Sequence, residues 1–194
     1  GRWLNELQTS TPQVYGLDFS LGMLQQAKAQ NNLLPLVRGD ATHLPFRSST
    51  FDLLLCFFAL HHFPEPTQFI TEARRALANN GTLIIVNMDP HQGVKSWYLY
   101  DYFLGTRETD LRRFPSVETI KGWMQEAGFK QSTSQVVDRV KDQYIGREIF
   151  NDPFLQKHGT SQLALLSDEA YGEGMRRIEA AIAAAESRSE EIVF

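Results

Sequence analysis

Over the first ninety residues, short runs of strand-forming side chains alternate with stretches whose apolar positions recur every three or four residues. That rhythm predicts a parallel sheet joined by crossover helices. Trp3, Leu4 and Leu7 share one helical face, so the chain opens inside a helix. A strand is predicted over residues 13–17, followed by a helix over Leu21–Gln30 with Ser20 as its cap and Leu21, Met23, Leu24 and Ala27 as its buried face. A short strand over residues 35–38 ends at Gly39 and Asp40, and a turn follows at Leu44, Pro45 and Phe46. The run Phe51–Phe57 is apolar at nearly every position, the pattern of a strand buried on both faces. Phe69, Ala73 and Leu77 mark the next helix, which Asn79, Asn80 and Gly81 are expected to stop, and residues 82–87 make another buried strand.

From Met88 the pattern changes. An aromatic-rich stretch containing Trp97, Tyr98, Tyr100, Tyr102 and Phe103 reads as a helical insertion over the binding edge of the sheet. Val117, Ile120, Met124 and Ala127 form an amphipathic helix closed by Gly128, and residues 131–140 alternate well enough for a strand. Residues 168–189 make the longest helix, with Tyr171, Met175, Ile178, Ile182 and Ala185 as a core stripe. The domain reading is a core over residues 1–90, then the aromatic insertion and the remainder of the same domain over 91–194.

Length and a 42% hydrophobic content suffice for a real core. Nineteen basic against 23 acidic residues give a net charge of −4, which argues against a nucleic-acid partner. The longest apolar run, residues 51–60, is interrupted by Asp52 and is too short to cross a bilayer, so no membrane role and a cytoplasmic location are expected. The single cysteine, Cys56, excludes an internal disulfide and reads as a buried, inert thiol. The histidines outside the His61-His62 pair are scattered, so no metal site is expected.

Asp18 falls at the carboxyl end of its strand, where ligands of open α/β sheets bind. Its carboxylate can accept from both hydroxyls of a ribose; equally, Asp18 and Ser20 can serve only as turn and cap. The string VYGLDFSLGMLQQAK, with VRGDATHLPFRSSTFDLLLCFFALHHF and EARRALANNGTLIIV after it, resembles the class I S-adenosylmethionine-dependent methyltransferases, specifically the small-molecule type 11 branch, across residues 14–89. The resemblance implies a Rossmann-like α/β sheet with crossover helices, S-adenosylmethionine as cofactor, S-adenosylhomocysteine as product and a small-molecule acceptor. It assigns Asp18 to the ribose, Met23 and the neighbouring Phe19 to the nucleoside region, Asp40 and Ala41 to the adenine edge, and Phe57 and Phe58 to the methionine portion. Met23 reads equally as ordinary core, and Asp40 as a turn or helix cap. His61 and His62 are candidate proton acceptors, with a structural role at the strand end as the alternative. Trp97, Tyr98, Tyr100 and Tyr102 are candidates for a pocket lining or a packed lid. Arg107, Arg112 and Arg113 can hold an anion or pair on the surface with Glu108 and Asp110.

In the family the first strand ends in a glycine-rich loop, of which Gly1 corresponds to the last glycine. The expectation is therefore a chain lacking the first strand and, toward Phe194, the last one. Two remedies for the missing strand follow: direct pairing of the flanking strands, or an intertwined homodimer. Weak cofactor binding is expected, because the adenosine half of the site is present and the methionine half lacks its loop. A non-catalytic assembly module and a nicotinamide-dependent oxidoreductase are the competing readings; no G-x-G-x-x-G occurs to favour the latter.

Overall fold

A computed structural model of the chain describes residues 2–9, 13–31, 33–92, 97–137 and 143–194. Two compact units emerge, Gly1–Asn87 with Thr119–Ser132, and Met88–Glu118 with Thr133–Phe194.

The first unit is the sheet-bearing one. Helix α1 (Arg2–Gln8) lies against strand β1 (Gly16–Asp18) so closely that a Cβ on Gly16 would stand 2.8 Å from a methyl of Leu4 and 2.9 Å from one of Leu36. A larger residue there would have to push both leucine methyls aside. Helix α2 (Leu21–Gln30) follows, with Ser20 accepting from the Met23 amide at 3.3 Å. Strand β2 (Leu36–Arg38) pairs parallel with β1, Asp18 opposite Arg38. Strand β3 (Phe51–Phe57) and strand β4 (Leu77–Val86), linked through helix α3 (Pro66–Ala76), form a second parallel pair. Cys56, Leu60, Phe69, Ile70, Ala73, Leu77 and Leu83 build the core, and Ile120, Trp123 and Met124 of helix α6 (Val117–Glu126) pack on it. Gly128, at φ 89°, turns the chain at the end of α6 as its position predicts, and the Phe129 amide donates back to the Met124 carbonyl at 3.0 Å.

Four expectations need correction. Direct pairing of β1 with β3 does not occur among the described residues, where β1 pairs with β2 and β3 with β4. Side chains flank the two pairs instead: Trp3 stacks on Phe57 with centroids 4.8 Å apart, and Tyr15 meets Phe51 edge-on at 6.4 Å. For the same reason β3 is not buried on both faces; only Cys56 is buried and Leu53 is 47% exposed. Leu21 and Met23 are also exposed, and α2 buries only Leu24 and Ala27. Finally, α3 ends at Ala76, before Asn79, Asn80 and Gly81. The register jumps from Phe51 opposite Leu77 to Leu53 opposite Thr82, so those residues form a large bulge within β4.

The second unit is helical. Tyr98, Leu99, Phe103, Ile149, Leu155, Leu163, Ile178 and Ile182 make its core. They come from α4 (Tyr98–Tyr102), the turns at Gly146–Asn151 and Pro153–Leu155, α7 (Ser161–Ala164) and α8 (Asp168–Ser187). Ser167 caps α8, and the predicted stripe faces inward at Ile178, Ile182 and Ala185. Helix α5 (Thr106–Arg113) begins after Gly105, at φ 82°. Ile145 and Val193 form an antiparallel bridge, extended by mutual backbone hydrogen bonds between Tyr144 and Phe194 at 3.0 and 3.2 Å. Residues 131–137, read as part of a strand, are irregular and exposed, pairing with no strand among the described residues, and residues 138–140 lie outside them.

Candidate functional site

The carboxyl ends of β1 and β2 bring Asp18 and the Gly39-Asp40-Ala41 turn side by side, joined by a 3.2 Å hydrogen bond from the Gly39 amide to the Asp18 carbonyl. Asp18 Oδ1 accepts from the Ser20 amide at 2.8 Å, so this carboxylate does serve the turn into α2. Only one oxygen is engaged by that bond, and the side chain remains half-buried rather than closed off. Phe19, Leu21 and Met23, in the segment that follows it, are 72%, 51% and 52% exposed. Apolar side chains left open beside a carboxylate suit a nucleoside, whose base is flat and weakly solvated and whose sugar carries donors.

Asp40 has a similar double character. Its Oδ1 accepts from both the amide and the hydroxyl of Thr42 at 2.8 Å, and His43 Nδ1 lies 3.7 Å from Oδ2. The Thr42 amide first, then its hydroxyl and the His43 ring, hold this carboxyl below the usual carboxylate range. It therefore stays an acceptor at neutral pH, as an adenine amine requires. The loop after Ala41 is clamped by α3: Glu72 accepts from the Leu44 amide at 2.9 Å, and Arg75 donates to the Phe46 and Leu44 carbonyls at 2.8 and 3.0 Å.

The ends of β3 and β4 lie together because Phe57 is opposite Val86. Phe57 is covered by Trp3, whereas Phe58 is 52% exposed and held at φ 45°, a left-handed conformation that a bulky residue rarely adopts. Its amide donates to the Val86 carbonyl at 2.8 Å. The short turn Leu60–His62 follows, with the rings of His61 and His62 4.0 Å apart. His61 Nδ1 stands 3.2 Å from Oδ1 of Asn87, the first residue after β4. A carboxamide oxygen only accepts, so Nδ1 carries the hydrogen and Nε2 is the basic nitrogen. The Asn87 Nδ2 atom is buried and has no hydrogen-bond partner among the described residues. Sequence reasoning missed Asn87, a lone polar residue whose only signal is its place at the strand end.

Several other candidates are placed by the structure. Gly1 lies outside the described residues. Tyr98 is core rather than pocket: it is buried and donates to Asp152 Oδ2 at 2.6 Å. Asp110 does pair with Arg113, its Oδ1 3.9 Å from the Nη1 atom, but in the interior rather than on the surface, because α5 turns it inward to accept from Tyr100 at 2.9 Å. Desolvation raises its carboxyl above the ordinary range. Cys56 is buried as expected, and desolvation pushes its thiol up to about 11. Among the described residues, no three His, Cys, Asp or Glu side chains gather to hold a metal, and no helix is long and apolar enough to cross a membrane.

Residues 1–85 match a family described as a methyltransferase domain. Demethylmenaquinone methyltransferase of Corynebacterium kroppenstedtii is 31% identical over 144 residues, covering 65% of this chain and 62% of that protein. The protein of the same name from Lactiplantibacillus plantarum is 33% identical over 143 residues, covering 61% and 60%. The chain thus spans about three fifths of the length of these curated relatives. A crystal structure from Anabaena variabilis, described as a methyltransferase of an antibiotic biosynthesis pathway, aligns with TM-score 0.66 at 20% identity, covering 89% of this chain and 71% of that one, a likeness of fold. Fold, motif order and these matches agree: over residues 1–85 the chain is similar to a methyltransferase domain, and its fold is that of the class I methyltransferases.

Proposed function

We propose that this protein transfers a methyl group from S-adenosylmethionine to a small-molecule acceptor of the quinol or phenol class. The observation that supports the reading is that Asp18 and the Gly39-Asp40-Ala41 turn lie side by side at the ends of β1 and β2, with Phe19, Leu21 and Met23 exposed in the segment that follows Asp18. Asp18 would hold the ribose, Met23 and Phe19 the faces of the base, and Asp40 with the Ala41 amide its edge. Phe57, Phe58 and the His61-His62 turn then form the floor next to the sulfonium, the group that supplies the methyl. Methyl transfer from a sulfonium depends on in-line positioning, so the task of these residues is to orient the acceptor and receive its proton. The acceptor class rests on the relatives, which are named demethylmenaquinone methyltransferases.

The test is transfer of labelled methyl from S-adenosylmethionine to a reduced demethylated quinone, with catechol and a primary amine as comparisons. Label in the quinol product supports the reading. Label only in the amine, or none with cofactor bound, overturns the acceptor class. A second reading, an assembly module or an intertwined homodimer, is supported by the edges of β1 and β3, each paired on one side only among the described residues. Light scattering separates it: a concentration-independent monomer argues against assembly.

A further inference from the structure

The pair formed by His61 and Asn87 has a division of labour that the nucleoside surface does not explain. The two residues follow adjacent parallel strands, four positions past Phe57 and one past Val86, which are in register. Asn87 Oδ1 accepts from His61 Nδ1 at 3.2 Å, while its Nδ2 is a buried donor with no partner among the described residues. An asparagine that served only to anchor the turn would be expected to have its second donor satisfied too, because an orphaned buried amide hydrogen is unfavourable. One end of the carboxamide is thus committed to a histidine and the other is left wanting an oxygen.

We propose that Asn87 is a positioning and specificity residue for the acceptor: its oxygen fixes His61 as the Nδ1–H tautomer, and its amide group donates to the acceptor oxygen that His61 deprotonates. The proton step balances within this pair and the ligand. An acceptor O–H bond breaks, an N–H bond forms at His61 Nε2, and the electron pair left on oxygen is stabilised by the Asn87 Nδ2 hydrogen. His62, whose ring lies 4.0 Å away, is the neighbouring titratable group. The chemistry selects an acidic hydroxyl, a phenol or quinol, over an amine, which has no oxygen for Nδ2 to bind. This assignment rests on the methyl-transfer reading for its purpose, but its test does not depend on that reading.

Long-range proton–nitrogen spectra of the intact chain, assigned with His61→Gln, report the tautomer. The expected wild-type signature is a protonated Nδ1 and a bare Nε2, retained in Asn87→Asp and lost in Asn87→Leu. Asn87→Asp should also raise the His61 titration midpoint by about one unit, as a facing carboxylate does. Binding of 4-nitrophenol as the probe should weaken tenfold or more in Asn87→Asp, which keeps the acceptor but lacks the donor. A wild-type Nε2–H tautomer, or equal probe affinity in the Asp variant, overturns the proposal. S-adenosylhomocysteine is titrated in parallel: its failure to bind while the tautomer and probe results hold refutes the methyl-transfer reading and leaves Asn87's role standing.

Discussion

Replacing Arg75 with alanine should loosen the segment that presents Asp40 and Ala41. The guanidinium donates to Glu72 Oε1 and Oε2 at 2.8 Å each, to the Phe46 carbonyl at 2.8 Å and to the Leu44 carbonyl at 3.0 Å. Leu44 is buried, and its amide is held by the same Glu72. The Arg75 side chain is 35% exposed, so the two carbonyl bonds are worth about 1 kcal/mol each after competition with water. The ion pair adds less than about 1 kcal/mol for the same reason. The variant should therefore lose about 2 kcal/mol, and local opening at the Leu44 amide should rise roughly 30-fold. Urea unfolding followed through Trp3 and Trp123, with amide exchange at Leu44, measures both. Arg75→Lys should recover only part of the loss, since an ammonium cannot span two carboxylate oxygens and two carbonyls in one plane. A wild-type midpoint for Arg75→Ala, with unchanged exchange at Leu44, would refute the clamp. The pH dependence follows from Glu72, whose carboxyl is lowered chiefly by its hydrogen bonds from Arg75. Its contribution is complete above the unfolded-state value and is lost as pH falls through the lower folded one.

Two further predictions concern the second unit. Gly174→Ala should destabilise by about 1–3 kcal/mol despite alanine's better helix propensity, because the new Cβ would run into the buried ring of Phe103; thermal unfolding measures it. Tyr98→Phe should cost about 1–3 kcal/mol by stranding Asp152 Oδ2 in a buried site, whereas Tyr171→Phe, which removes a donor from the neutral Leu155 carbonyl rather than from a carboxylate, should cost less; urea midpoints of the two variants compare them.

What the sequence revealed was governed by how local each signal is. Helices α2 and α8 could be placed because Ser20 announces the cap of α2 and the apolar spacing of both is carried within the helix itself. Asp18 and Asp40 were legible because strand-then-acidic-residue patterns are contiguous. The openness of β3 was not, since the same apolar run FDLLLCF serves a strand with two neighbours or with one. Asn79, Asn80 and Gly81 tolerate both a helix end and a bulge, and the register between β3 and β4 chose the bulge. Asn87 and the inward turn of Asp110 depend on partners in other elements, His61 after β3 and Tyr100 in α4, and composition carries no trace of such pairings.

Calorimetric titration of adenosine and S-adenosylhomocysteine into the chain asks whether the ends of β1 and β2 form the proposed adenosine site. Both ligands should bind, and Asp18→Ala should weaken each at least tenfold, the loss of about one charge-assisted hydrogen bond to the ribose. Ligand affinity that is unchanged in Asp18→Ala, or no heat from either ligand at millimolar concentration with the wild-type chain, would contradict the account.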